Sequence, residues 1–566
     1  MSASSGGSSK SSKRYMAMRN KQRANMSFFI VVMFFAVFGI IVFTEIFLID
    51  ERGRGGGVLV RHGSLTYHHR QQDRGEYDDV MQSDDYISIR MNNNERTLRE
   101  DTIGAVLLGR RPAPLHARPD TTVNEREVLT EGQLPPFSNN SIPMDGTWQT
   151  VNGTRYKFYV FSAFFDNRKG QRAIRVIGAT KMRGPERVWC RLWYKFGENN
   201  GTTFTSKTVV AKIKIIRENW NLKYSACFVM CPMQRNQSVP NYVSIVSKVK
   251  FPPSNTLIVV NNFNESFASP NDRNRQKKFA ICVKPLHFDY NRALQILEFI
   301  ELNRIMGVEH FTFYNHTVGK QVGCILNDYV KKGLVSLLPW QLNMVSQKEI
   351  RTEGLFAALN DCLYRSMYKY THVLLIDLDE YIIPRHNDTL PQLVDYLSTR
   401  INTRSTGSFS FQNAFFYLQW GDGDFVYESH DSVAAGLVTL KKVRRKTKLH
   451  PHKQRSKYIC LPEQVVEAGN HFVWEYIPGH GTFNVPADSA ILHHYRICEF
   501  GGDDCINTAS TIDNTAYRYK DQLIANVKAK FQGYKVPCQL PELPPPPERG
   551  FEKLLKIFKS DAFKSR

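Results

Sequence analysis

The sequence has no Cys-x-x-Cys pair, and no cysteine precedes Cys190. The first absence argues against the common structural zinc layouts, which draw paired ligands from that spacing. All ten cysteines lie between Cys190 and Cys538, an even count confined to one side of the chain. That distribution suits disulfides in an oxidising compartment, although spacing alone does not give their pairing. Cys498 and Cys505 are close enough for a small loop, and Cys227 and Cys231 for another. No internal repeat is detectable, which argues against stacked-repeat architectures. Apolar clusters are few in residues 50–146, where RGRGGG, HHRQQ and acidic pairs such as Asp78-Asp79 and Asp84-Asp85 read as a flexible stem.

One apolar run, Ser27–Ile49, is long enough to cross a bilayer as a helix, with Glu45 its only charge. Lys10, Lys13, Arg14, Arg19, Lys21 and Arg23 precede it, and Asp50 and Glu51 follow. The positive-inside rule makes residues 1–26 a cytosolic tail, 27–49 a signal anchor and the rest luminal, a type II topology. A cleaved signal peptide is the alternative, but the run is long for one and no small-x-small site follows it. Glycosylation sequons fall on the luminal side at Asn139, Asn152, Asn200, Asn236, Asn264, Asn315 and Asn387. Asn25 also fits the pattern but lies on the cytosolic side.

The net charge is +22. A nucleic-acid partner is not expected, since much of that charge is dispersed and the lumen offers no nucleic acid. One dense basic run exists, Lys441–Lys457. It reads either as a solvated loop or as a contact for a nucleotide diphosphate or anionic glycan.

Past the stem, residues 147–262 carry short aromatic and β-branched runs at 156–161, 188–194, 208–216 and 257–260. They predict a small β-rich domain. Residues 263–277 read as a linker. From 278 the pattern alternates strand and helix: strands at 279–283, 310–314 and 335–338, helices at 291–306, 324–330 and 350–368. Such alternation implies a mainly parallel sheet, in a domain spanning 278–535. Residues 536–566 are a Pro-rich and basic tail, with Phe551–Phe558 amphipathic.

The most informative stretch is THVLLIDLDEYIIPRH, residues 371–386. An apolar strand ends in Asp377 and Asp379, with Glu380 beside them. Such a strand delivers its last residues to the carboxyl edge, where open α/β sheets bind ligands. At period 2 the two aspartates share a face and repel unless a cation sits between them. Hard oxygen ligands of this kind suit manganese or magnesium, with a diphosphate completing the shell.

The stretch FAICVKPLHFDYNRALQILEFIELNRIMGVEHFTFYNH, the run Asn360-Asp361-Cys362, LLIDLDEYIIP and Leu492-His493-His494-Tyr495-Arg496 resemble glycosyltransferase family 92, once called domain of unknown function 23. The resemblance covers roughly residues 145–530. It implies an α/β, GT-A-like nucleotide-sugar fold behind a small β-rich domain, on a type II anchor in the Golgi membrane. It also implies a metal-dependent, inverting transfer with Mn2+ or Mg2+ as cofactor. Characterised relatives move galactose from UDP-galactose, including β1,4-linkage to fucose on N-glycan cores. The expected partners are therefore a UDP-sugar donor and a glycan acceptor on glycoprotein or glycolipid. The family's Asp-x-Asp maps onto Asp377 and Asp379, the second holding metal and the first near ribose or metal-bound water.

An acceptor hydroxyl attacking the anomeric carbon needs a general base. Asp422, in QWGDGD, and Glu467, in VVEAGNH, are candidates. His494 is a candidate metal ligand, and His471 and His493 are also notable. Arg496 is a candidate diphosphate contact, together with Asp377 at the donor nucleotide. Asn315 poses a conflict, because it ends a strand near the expected donor pocket and is also a sequon. Three other readings stand beside this one, of which a plasma-membrane receptor is disfavoured by a short cytosolic end with no evident catalytic or docking motif. A HAD-type phosphatase shares the Asp-x-Asp spacing, but its motif wants threonine or valine where Tyr381 stands. A non-enzymatic glycan-binding ectodomain would show no manganese-dependent UDP-sugar turnover.

Overall fold

The structure is a computed structural model that describes residues 131–138, 141–170, 172–197, 203–263, 276–498 and 505–548. The expected cytosolic tail, the expected anchor at 27–49, most of the expected stem, the sequons at Asn139, Asn200 and Asn264 and the basic stretch 551–558 lie outside the described residues. Among the described residues no helix is long and apolar enough to cross a membrane.

The first sheet is built from β1 (Gln149–Thr150), β2 (Tyr159–Asp166), β3 (Ala173–Lys181), β4 (Trp189–Phe196), β5 (Thr203–Val210), β6 (Lys212–Ile215), β7 (Tyr224–Pro232), β8 (Tyr242–Val246) and β9 (Leu257–Val260). Its order is β5-β4-β8-β9-β2-β3-β7-β6, with β1 on β2. The Cys190–Cys231 disulfide joins β4 to β7 with Cα atoms 5.8 Å apart. Those strands are not neighbours, so the sheet must curl back on itself. Val160, Ile174, Val176, Leu192, Val229 and Ile245 fill the enclosed core.

The apolar run expected at 208–216 is two strands. It breaks at Ala211, whose N–H reaches Val188 O (3.1 Å), so β5 pairs with β4 and β6 with β7. The expected Cys227–Cys231 loop does not form either. Both residues lie on one extended strand, so they stand roughly 13 Å apart, beyond disulfide reach. Cys227 is buried and free. The remaining disulfides are Cys282–Cys362, Cys324–Cys538 and Cys498–Cys505.

The second sheet begins with β10 (Phe279–Cys282), β11 (Val308–Asn315), β12 (Val335–Pro339) and β13 (His372–Leu375), all parallel. The chain then forms β14 (Glu380–Pro384), β15 (Thr406–Phe411), β16 (Asn413–Tyr417), β17 (Arg444–Lys446), β18 (Lys457–Cys460), β19 (Val465–Ala468), β20 (Val473–Tyr476), β21 (Gly481–Asn484), β22 (Ala490–Arg496) and β23 (Ser510–Ile512). The seven-stranded order is β12-β11-β10-β13-β18-β15-β21, and β14-β22-β16 form a separate three-stranded sheet. From β10 the chain builds outward through β11 and β12, then returns to place β13 on the other side of β10. The switch point therefore lies between β10 and β13, where open α/β sheets leave a ligand crevice.

Helices 293–305, 320–331 and 520–535 contribute to one apolar core with this sheet. Helix 355–366 packs between the two sheets. All of its residues but Arg365 are buried, as a helix covered on every side requires. Leu355, Ala358, Leu359 and Leu363 share a cluster with Phe161, Phe164, Ile177 and Phe228 of the first sheet.

A buried charge network crosses the same seam. Asp361, in helix 355–366, accepts from Tyr314 Oη (2.6 Å), Arg365 Nε (3.1 Å) and the Ser162 hydroxyl of β2. Arg365 also reaches Asp145 (2.9 Å). Removing one partner from a buried ion pair typically costs about 3–5 kcal/mol. Asp361→Ala should therefore lower unfolding stability by about that amount in denaturant titration. A loss below about 1 kcal/mol would show that the network is not what ties the sheets together.

Candidate functional site

The two strands that flank the switch point each place a charged residue just past their carboxyl ends. Lys284 lies two residues beyond β10, and Asp377 two residues beyond β13. Their side chains form an ion pair. The shared-face argument for Asp377 and Asp379 fails at this point, because the strand has already ended. Residues 376–379 turn out of the sheet. Glu380 N donates to Asp377 O (3.1 Å), and Asp377 N donates back to Glu380 Oε2 (2.9 Å). The carboxylate of Glu380 thus closes a turn that extended backbone would not make.

From that turn the chain enters β14 and pairs with β22, setting Glu380 opposite His494. Alternation along β22 decides the fate of its histidines. His494 faces the acids: Nε2 lies 3.3 Å from Asp379 Oδ2, and Nδ1 lies 3.4 Å from Glu380 Oε1. His493 points the other way, stacked on Phe416 with ring centroids 4.5 Å apart, and burial pushes its pKa down to about 4.

Lys457 opens β18, antiparallel to β13, and only 2% of its side chain is exposed. Its ammonium lies 3.3 Å from Asp377 Oδ2 and 3.5 Å from Glu380 Oε2, and donates to Asn470 Oδ1 (2.8 Å). Burial alone would raise the Asp377 pKa, but Lys284 and Lys457 outweigh it and hold this carboxyl below the usual range. Burial likewise opposes ionisation of Asp379, and His494 turns the balance downward. Glu380 goes the other way, raised because burial and the neighbouring acids exceed the help of Lys457. His471 is pushed well below its usual value by burial and by Lys457 and Lys284. Its imidazole is therefore neutral at pH 7, bridging Ser456 O and the Asn470 side chain.

The other expected residues are placed as follows. Arg496 lies over the Phe415 ring (5.0 Å), with Arg455 also against that ring (5.3 Å) and His494 edge-on to it. The carboxyl end of the basic run therefore folds into the site. Asp422 follows β16 and pairs with Lys442 (2.6 Å) and Lys441 (3.5 Å). Glu467 is fully buried on β19 and faces the first sheet, receiving Arg217 N (2.7 Å) and Lys214 Nζ (2.9 Å). With no exposed surface and both oxygens engaged, it is a strut and is not placed to accept a proton from an incoming substrate. Asn315 ends β11 half-buried, and its carbonyl accepts from Trp340 N (2.9 Å). Sequence reasoning passed over Lys284 and did not single out Lys457 within its basic run. Their signal was positional, since each lies against Asp377 only once the strand order is known.

The structure can be tested for its fit to a divalent cation. Among the described residues no group of three or more His, Cys, Asp or Glu side chains converges as a metal site. What converges is a pair, Asp379 Oδ2 and His494 Nε2, beside a buried Asp377 Oδ1 that has no hydrogen-bond partner. Magnesium-type sites use one or two carboxylates and take the rest of their shell from phosphate and water. On its other nitrogen His494 meets Asn413 Nδ2 (3.2 Å) and the Glu380 carboxylate (3.4 Å), outer contacts of the kind that orient a ligating histidine. Asp379 and His494 fit such an ion, whereas Asp377 is largely committed to its two lysines.

Residues 277–533 match the Glycosyltransferase family 92 model. This part of the chain is similar to glycosyltransferase family 92, as the sequence resemblance implied. A glycosyltransferase family 92 protein of Caenorhabditis elegans is 23% identical over 205 residues, 35% of this chain and 38% of its own length. A galactan beta-1,4-galactosyltransferase of Arabidopsis thaliana is 24% identical over 282 residues, 48% of this chain and 54% of its own. The matched stretches thus cover well under two thirds of those relatives. Among solved structures, glucosyl-3-phosphoglycerate synthase from Mycobacterium tuberculosis, in complex with Mn2+, UDP and glucosyl-3-phosphoglycerate, aligns over 47% of this chain and 81% of its own. Identity there is 13% and the TM-score 0.20, too low to carry weight on fold or chemistry.

The electrostatics separate the two aspartates. Asp377→Ala would leave Lys457 buried without its nearest carboxylate, so stability should fall by about 3–5 kcal/mol. Asp379 has a 36% exposed side chain, and Asp379→Ala should change stability by under about 1 kcal/mol. The sign with pH follows. The depressed Asp377 pKa stabilises the fold above the ordinary carboxylate range, and that share is lost as pH falls through the folded value. Urea titrations at pH 7 and in acid check both points. Equal destabilisation by the two substitutions at pH 7 would contradict the lysine pairing.

Proposed function

We propose that this chain moves galactose from UDP-galactose onto a glycan hydroxyl with inversion, as a type II enzyme of the Golgi membrane. One observation carries the reading. Inside the family 92 domain, Asp379, His494 and Glu380 meet the Lys284–Asp377–Lys457 cluster at the switch point of a parallel sheet. That the Arabidopsis relative is a galactan beta-1,4-galactosyltransferase supports galactose as the sugar. Four disulfides and the apolar run 27–49 support a luminal domain on an anchor. Protease protection in sealed vesicles tests that placement, and digestion of residues 51–566 from outside would refute it.

The residues divide the work. Asp379 and His494 would hold manganese or magnesium, which when bound neutralises the charge of the departing diphosphate. Glu380 fixes the His494 ring, so that Nε2 faces Asp379. Lys284 and Lys457 add positive charge on the other side of Asp377, and Arg455 and Arg496 border the site across Phe415. Such prepositioned charge favours a leaving group that becomes more negative in the transition state. Asp377, held ionised between lysines, is suited to accept from a donor hydroxyl.

The test is turnover by the purified full-length protein, with manganese and a panel of UDP-sugars, reading UDP release and transfer. UDP-galactose should be the preferred donor, and chelation should abolish the reaction until manganese is restored. Asp379→Ala should lower turnover about 10²–10³-fold with little change in Tm. Undiminished transfer by that variant in chelator would sink the metal assignment, and no release from any UDP-sugar would sink the donor class.

A further inference from the structure

The first sheet supplies none of the acids, lysines or histidines of the cluster described above, yet a chain of contacts runs from it to Lys457. Between β6 and β7, Glu218 reaches out of the first sheet to the β19–β20 hairpin. Its Oε2 accepts from Asn470 N (2.9 Å) at the hairpin tip and from Trp474 Nε1 (3.0 Å) on β20. Arg217 grips the same hairpin through Trp474 O (2.7 Å) and Glu475 (2.6 Å). The tip is tightly built. A Cβ on Gly469 would stand 2.5 Å from the Trp474 ring and 2.6 Å from Glu218 Oε2.

The other end of this chain of contacts is the site. Asn470 Oδ1 accepts from Lys457 Nζ at 2.8 Å, shorter than either carboxylate contact that Lys457 makes. His471 secures the same segment from two sides, its carbonyl accepting from Ser456 Oγ (2.9 Å) and its ring meeting Ser456 O (3.2 Å). Tyr458 Oη reaches Gly469 O (2.7 Å). A flexible lysine stem has several rotamers, and this hairpin selects the one that faces Asp377 and Glu380.

We infer that Glu218 is a positioning residue of the transfer site. By holding the Asn470 tip, it holds the Lys457 ammonium against Asp377, and through it the charge that faces the donor diphosphate. The β-rich sheet thereby becomes part of the functional unit without lending a ligand. The consequence for the donor rests on the transfer reading, whereas the placement of Lys457 does not.

The experiment uses Glu218→Ala, Glu218→Gln and Asn470→Ala in the full chain, with the UDP dissociation constant measured calorimetrically in manganese beside Tm. Glu218→Ala and Asn470→Ala should each weaken UDP about tenfold, the size expected for losing one charge-assisted contact. Glu218→Gln should restore most of that, because an amide oxygen still accepts from both N–H groups. In a Lys457→Ala background, Glu218→Ala should have no further effect on UDP. A purely structural role predicts a lowered Tm with wild-type UDP affinity in the folded fraction, and effects that multiply with Lys457→Ala. Either result overturns the inference. Should Glu218→Ala not fold, Asn470→Ala decides on the same criteria. Should the wild type bind no UDP, the transfer reading falls, and a crystal structure of a variant decides the positioning. Lys457 withdrawn from Asp377 supports it, and Lys457 still seated there overturns it.

Discussion

A lysine ammonium with 2% of its side chain exposed cannot stay charged without company. Lys457 has Asp377, Glu380 and Asn470 as partners, from two strand ends and a hairpin tip. Much of the molecule follows from that arrangement. The β13–β14 turn must close where it does to present Asp377 and Glu380 together. β18 must run beside β13 to bring the lysine in. The β19–β20 hairpin must fold back to accept a hydrogen bond from the ammonium. The cluster therefore joins the seven-stranded sheet to the three-stranded one, and the hairpin joins both to the β-rich sheet.

This arrangement also separates roles within the Asp-x-Asp pair. Asp377 is answered by protein cations and Asp379 by an imidazole, itself held by Glu380. On the proposed transfer reading, a site with its own lysines would need fewer protein ligands for an added ion, since part of a bound diphosphate's charge would already be balanced. Two converging donors in place of three suit an ion that arrives with its nucleotide.

The helices and strands between 279 and 375 were legible because short apolar runs alternate with longer helical stretches, punctuated by Gly307 and Gly333. Helix 293–305 and the apolar runs of β10, β11 and β12 lie close to their expected limits. β3 and β7 escaped notice because they are buried along most of their length, which erases alternation. In β3 the mid-strand Arg175, buried against Asp166, further disguises the run. In the site, Asp377, Asp379 and His494 were legible as chemistry and are brought together. The turn that joins them was not, because it depends on a side chain bonding to backbone three residues away. Glu467 reads in the sequence as a candidate base two residues before Gly469, but lies in a strand at the seam between the sheets. Lys284 and Lys457 are far apart in sequence and meet Asp377 only through sheet order.

We propose that a divalent ion and a diphosphate meet at Asp379 and His494, with Asp377 reserved for the lysines. Anomalous scattering from crystals soaked with manganese and UDP addresses it directly. The account predicts one strong peak within about 2.3 Å of Asp379 Oδ2 and His494 Nε2, with Lys284 and Lys457 still seated on Asp377. A peak held by other residues, or UDP bound with no ion between those two side chains, would contradict it.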